Sequence, residues 1–161
     1  MPHSPPEREP HNGEARMLRL AVPNELAAIE TTRTQVLAFL SGYSLPARTV
    51  YRLELVLEET LMNRLMHAFP EGGHHSTDLS VRLEPPMSPG DELGELVLCF
   101  EDDGVPFDPL QAAPPRPLES TGDVPVGGFG LMLTRKAASA CHYERIGARN
   151  RFTVRLAGRS A

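Results

Sequence analysis

From Arg16 the chain reads MLRLAV, alternating apolar and polar side chains as a half-buried strand does, and Pro23 stops the run. Asn24 is placed to cap a helix over residues 25 to 41. There Leu26, Ile29, Val36, Leu37 and Leu40 recur at roughly helical spacing, and Gly42 ends the pattern. A second helix begins just past Leu45, with Pro46 in its first turn, where a fixed φ is tolerated, and runs through YRLELVLEETLMNRLMHAF to Pro70. After the turn EGGHH, residues 77–84 (TDLSVRLE) alternate again and ELVLCFED comes at 95–102, which predicts an antiparallel hairpin joined by PPMSPGDEL. Gly104 to Val126 shows no periodicity. Gly127 and Gly128 then open a helix, FGLMLTRKAASA, succeeded by strands CHYERI and RFTVRL around the turn GARN. The order β α α β β α β β predicts an α+β fold: a mixed, mostly antiparallel sheet with helices packed on one face.

Composition sharpens this picture. A chain of 161 residues suits one domain, and its 16 prolines are about twice the usual share of about 5%. Four of them (Pro2, Pro5, Pro6, Pro10) fall in residues 1–15 among charges and histidines, which predicts a disordered tail before a domain over 16–158. Six more lie between Pro106 and Pro125. An unpatterned stretch of that length is usually a functional lid or a disordered segment. With 21 acidic against 16 basic residues and a net charge of -5, the chain has no global field for phosphate backbones, so direct nucleic-acid binding is not expected. No apolar run approaches a membrane span, and the first residues lack the apolar core of a secretion signal. Cys99 and Cys141 have no paired spacing and are expected to be buried small hydrophobes, which fits a reducing, cytoplasmic setting.

Three features carry candidate chemistry. Glu59, Asn63 and His67 lie at i, i+4, i+8 and form one polar stripe on the second helix. A carboxylate and a carboxamide one turn apart both offer oxygens to a hard cation. On spacing alone a solvated helix face explains the stripe as well, and Glu58 and Arg64 beside it fit that simpler reading. Secondly, EDDGVPFDP comes directly after a strand. Asp102 or Asp103 could accept a hydrogen bond from an exocyclic amine there, although an Asp-Gly pair is usually just a turn. Thirdly, GGFG at 127–130 starts a helix, and exposed amides at a helix start bind phosphate. It is neither a Walker loop nor set in a βαβ unit.

The three in this order resemble the ATP-binding domain of GHKL ATPases and kinases, with its N box, first glycine box, lid and second glycine box. Within that superfamily the likeness is to the anti-sigma serine/threonine kinases of the RsbW and SpoIIAB type. It is carried by LRLAVPNELAAI, by LAFLSGYSLPARTVYRLELVLEETLMNRLMHAF, by DDGVPFDP, and by GGFGLMLTRKA with YERIGARNRFTVRL. It spans residues 17 to 157. The resemblance implies the two-layer α/β sandwich of the GHKL (Bergerat) type with an ATP lid at about 105–126. It further implies Glu59 as general base, Asn63 as Mg2+ ligand and Asp102 as acceptor from the adenine amino group. Gly104 would let the ring approach the backbone, Gly128 and Gly130 would approach the phosphates, and Thr153 would support adenine through water. His67 has a role either near the phosphates or in helix packing.

By the same resemblance, the chain is expected to be a cytoplasmic enzyme that uses ATP and Mg2+ to phosphorylate a serine or threonine of a small antagonist, a STAS-domain protein, and that otherwise sequesters a sigma factor. A homodimer is compatible with it. The alternative is a non-catalytic nucleotide-binding module acting by protein sequestration. Arg64 departs from the family pattern, which usually has a small residue after the N-box asparagine. The C-terminal arginines Arg145, Arg149, Arg151, Arg155 and Arg159 suggest either an acidic partner or, more simply, a solvated hairpin.

Overall fold

The alternating segments build one five-stranded sheet in a computed structural model of the chain that describes residues 16–85, 94–111 and 129–158. The elements are β1 (Met17–Pro23), α1 (Leu26–Leu40), α2 (Ala47–His67), β2 (Ser76–Leu83), β3 (Glu95–Asp102), α3 (Phe129–Ala137), β4 (Ala140–Ile146) and β5 (Arg149–Ala157). The strand order is β1-β2-β3-β5-β4, and every pairing is antiparallel. The expected α+β fold is therefore present, without a parallel pair among the described residues. The N-terminal tail (1–15), the connection at 86–93, most of the expected lid (112–126) and Gly128 lie outside the described residues.

Two helix starts differ from expectation. The cap of α1 is Glu25, with extended backbone and no side-chain capping bond, while Asn24 instead donates its backbone N–H to His75 O at 2.9 Å. Asn24 is held one residue early because β1 pairs as far as Pro23 opposite Ser76. Pro46 stands at the N-cap of α2 rather than inside its first turn, and its ψ of 143° is the extended conformation a cap requires. The last turn is tighter than GARN. Ile146 pairs with Arg149, which leaves Gly147 and Ala148 as a two-residue loop, and Gly147 supplies the positive φ of 58° at its first position.

Period two decides what each strand buries. Leu79 and Val81 of β2, Leu96, Leu98 and Phe100 of β3, and Phe152, Val154 and Leu156 of β5 all face the helices. They join Val36 and Leu40 of α1 and Leu53, Val56, Leu57 and Leu61 of α2 in one core. The opposite face is a lattice of charges. Arg155 pairs with Glu84 and Glu95, Arg151 with Glu101 and Glu144, and Arg149 with Asp78. Arg149, Arg151 and Arg155 therefore neutralise carboxylates of their own sheet, while Arg159 lies outside the described residues. Exposed to water and salt, such pairs add little to stability. Cys141 packs at the core, whereas Cys99 sits half-buried on the charged face, its thiol pushed up chiefly by burial. Among the described residues no helix is long and apolar enough to cross a membrane.

Candidate functional site

The inner face of α2 passes from apolar to polar along its length. Leu53, Val56, Leu57 and Leu61 are succeeded by Arg64 and then Ala68, all buried. Arg64 is thus not on a solvated face, as its charge alone suggests. It stands one helical step beyond Leu61 and one before Ala68, squarely on the buried stripe. The stripe of Glu59 and Asn63 lies beside it, half-buried, while His67 one turn later is exposed.

β3 delivers the second half of the site. Asp102 ends the strand on the inward side and is fully buried, whereas Asp103 is exposed, 3.8 Å from His75. Of the two candidate acids, Asp102 is the interior one. Its Oδ1 accepts from Gly104 N–H at 2.9 Å and from Asn150 Nδ2 at 2.9 Å. Its Oδ2 lies 3.0 Å from Arg64 Nη1, an ion-pair distance without hydrogen-bond alignment, so this buried oxygen keeps an unfilled acceptor position. Burial pulls the Arg64 guanidinium down from its ordinary value, opposed by Asp102 and Tyr143.

Asn150 organises the surroundings. Its Nδ2 also donates to Val105 O at 2.9 Å, and its Oδ1 accepts from Tyr143 Oη and from Arg145 Nη1, each at 2.8 Å. Arg145 donates in addition to Gly104 O at 3.0 Å. Gly104 is confined: a Cβ there would stand 2.6 Å from Ala68 O and 2.8 Å from Asp102 Oδ1. The end of α2 therefore uses the room that Gly104 leaves, reinforced by Val105 N–H to Ala68 O at 2.9 Å. The first part of the expected lid is docked on the body by Arg135 of α3, which donates to Pro109 O at 2.7 Å, while within it Asp108 accepts from Leu110 N–H.

At the other end, Gly130 in the first turn of α3 lies directly against Glu59, and a Cβ there would overlap its carboxylate. Burial, and secondly the neighbouring Glu58, raise the Glu59 carboxyl above its ordinary value of 4.5. The Nδ2 of Asn63 is buried with no hydrogen-bond partner among the described residues.

The structure thus brings Asp102 and Gly104 together, and Glu59 with Gly130, with Asn63 on the helix that links the two groups. Thr153 is not part of either. It pairs with Cys99 and His142 on the charged face of the sheet, opposite to Asp102. The inward residue beside Asp102 is Asn150, three positions earlier. Strand parity carries that signal: Phe152, Val154 and Leu156 are apolar, so position 150 shares their face and 153 does not.

The donor set suits a nucleotide with its cation. Asp102 Oδ2 keeps an unfilled acceptor position and Asn63 Nδ2 an unpaired donor among the described residues, and Glu59 with Asn63 Oδ1 offers hard oxygen ligands. No group of three or more His, Cys, Asp or Glu among the described residues could hold a metal alone. That is the usual situation for Mg2+, which takes much of its shell from water and phosphate.

A profile described as the histidine kinase-like ATPase domain matches residues 22–157. Among solved structures, the chain is similar to the RsbU and RsbW domains of Rv1364c from Mycobacterium tuberculosis, with 12% identity and a TM-score of 0.58. That match covers 88% of this chain and 32% of the other, so the chain spans about a third of that protein's solved length. The histidine kinase domain of the blue-light activated histidine kinase EL346 from Erythrobacter litoralis is similar at 19% identity and a TM-score of 0.46, covering 81% of this chain and 59% of that one. No curated protein matches the sequence. With the profile spanning nearly all of the folded part, the chain belongs to the histidine kinase-like ATPase domain family.

Proposed function

We propose that the protein is an ATP-dependent serine/threonine kinase and anti-sigma regulatory factor. In this reading it phosphorylates a small STAS-domain antagonist and, when free of it, sequesters a sigma factor. The observation that carries the catalytic part is Glu59: a half-buried carboxylate of raised pKa, one turn from Asn63 and against the start of α3. Bound Mg-ATP would supply the transferable phosphoryl group and the cation that neutralises its charge. Glu59 orients the attacking hydroxyl and accepts its proton. Burial and Glu58 raise its pKa, which makes the ionised carboxylate a stronger base. Asn63 would offer its carboxamide oxygen to the cation and its amide hydrogens to phosphate oxygen, and Asp102 would accept from the adenine amino group. Since phosphoryl transfer is mainly positioning and charge stabilisation, such a set suffices without a covalent nucleophile.

The second reading is a nucleotide-binding module without catalysis that acts by protein sequestration. Incubation with labelled Mg-ATP and the STAS-domain proteins of the native host separates the two. Transfer abolished by Glu59→Ala with ATP binding retained supports the kinase. Tight antagonist binding without transfer to any of them supports the module.

A further inference from the structure

Asp102 and Arg64 form a pair removed from water, their side chains 0% and 5% exposed. A carboxylate so enclosed requires a counter-charge or saturating donors. Oδ1 already has two donors, and Oδ2 has only the guanidinium at 3.0 Å, out of hydrogen-bond alignment. Charge holds this contact rather than a forked pair of bonds, so a better-directed donor can replace it. A cavity that Arg64 lines together with Val22, Ile29, Leu61 and Thr77 amounts to about 10 Å³. That is at most the room of one water, so the guanidinium cannot withdraw into it.

Resting on the reading of this site as a nucleotide pocket, we propose that Arg64 is a built-in competitor for the base. In the free protein it neutralises the one Asp102 oxygen that a base amino group would meet, and nucleotide enters only as this ion pair opens. The competent state is then a minor fraction of the free protein, and the apparent affinity falls by that fraction. Arg64 sets nucleotide affinity without taking part in transfer, and a small residue at this position would remove the competition.

The test is equilibrium titration of the full chain with a fluorescent Mg-ATP analogue, using the native protein, Arg64→Ala and Arg64→Lys, each first checked by a ligand-free thermal melt. Arg64→Ala should bind at least tenfold more tightly although its ligand-free melting temperature is lower. Arg64→Lys, which keeps the charge but shortens its reach, should gain a few-fold. If Arg64→Ala does not fold, Arg64→Lys decides alone. Unchanged or weaker binding by the folded variants, with binding by the native chain, overturns the competitor and leaves the nucleotide pocket standing. Binding by none of the three overturns both.

Discussion

Gly130 and Glu59 meet where the first turn of α3 crosses α2, so closely that the glycine's missing side chain is the space the carboxylate occupies. The obstruction from Gly130→Ala falls on the far end of a flexible side chain, and alanine favours the helix by about 1 kcal/mol. Thermal denaturation should therefore change little, while phosphoryl transfer falls at least tenfold because Glu59 is displaced. Full activity in this variant would show that the position of Glu59 is not critical.

Gly104→Ala should behave in the opposite way. The atoms in its path are a backbone carbonyl of α2 at 2.6 Å and the buried Asp102 Oδ1 at 2.8 Å, neither of which can swing aside. A loss of about 1–3 kcal/mol is expected, read as a drop of several degrees in melting temperature. An unchanged melting temperature would contradict the packing of β3 against the end of α2.

Asn150 links Asp102, Tyr143, Arg145 and Val105 through one carboxamide. Asn150→Ala leaves a buried carboxylate with one donor fewer and several groups unpaired, which should cost about 2–4 kcal/mol in denaturant unfolding. Thr153→Ala, on the other face, should cost less than about 1 kcal/mol and leave nucleotide affinity unchanged. Equal effects of the two substitutions would refute the assignment of faces.

The raised pKa of Glu59 has a defined sign. The folded state holds this proton more tightly than the unfolded chain, whose carboxyl titrates near 4.5. The contribution of Glu59 to stability is thus full below 4.5 and declines as pH rises from there through its folded value. As a base it works only when ionised, so the acid limb of transfer should lie above 4.5. Glu58→Gln removes the repelling neighbour and should shift that limb to lower pH. Burial, the larger cause, remains, so the limb should still lie above 4.5. A limb that does not move, or moves upward, would contradict this electrostatic account.

The sheet and helices are legible because each carries a clean period: two in LRLAV, TDLSVRL and RFTVRL, and about 3.6 along the two long helices. The site is legible where glycine or acid punctuates an element end, at Asp102, Gly104 and Gly130. It is obscured where charge and periodicity point in different directions. Arg64 lies in register with Leu57, Leu61 and Ala68, and only its charge argues for solvent. Its partner is 38 residues away, on the strand packed against the helix, a relation no local pattern encodes. Thr153 and Asn150 are confused for a similar reason, since motif order points to the first where strand parity selects the second.

Nucleotide and cation binding at Asn63 is the claim on which the rest depends, and calorimetric titration with ATP in Mg2+ and in chelator tests it most directly. Asn63 Nδ2 has no partner to lose among the described residues, so Asn63→Ala should fold normally. The native chain should bind ATP more tightly with Mg2+ than without, and Asn63→Ala should lose most of that difference. No binding by the native chain, or the same magnesium dependence in Asn63→Ala, would contradict the account.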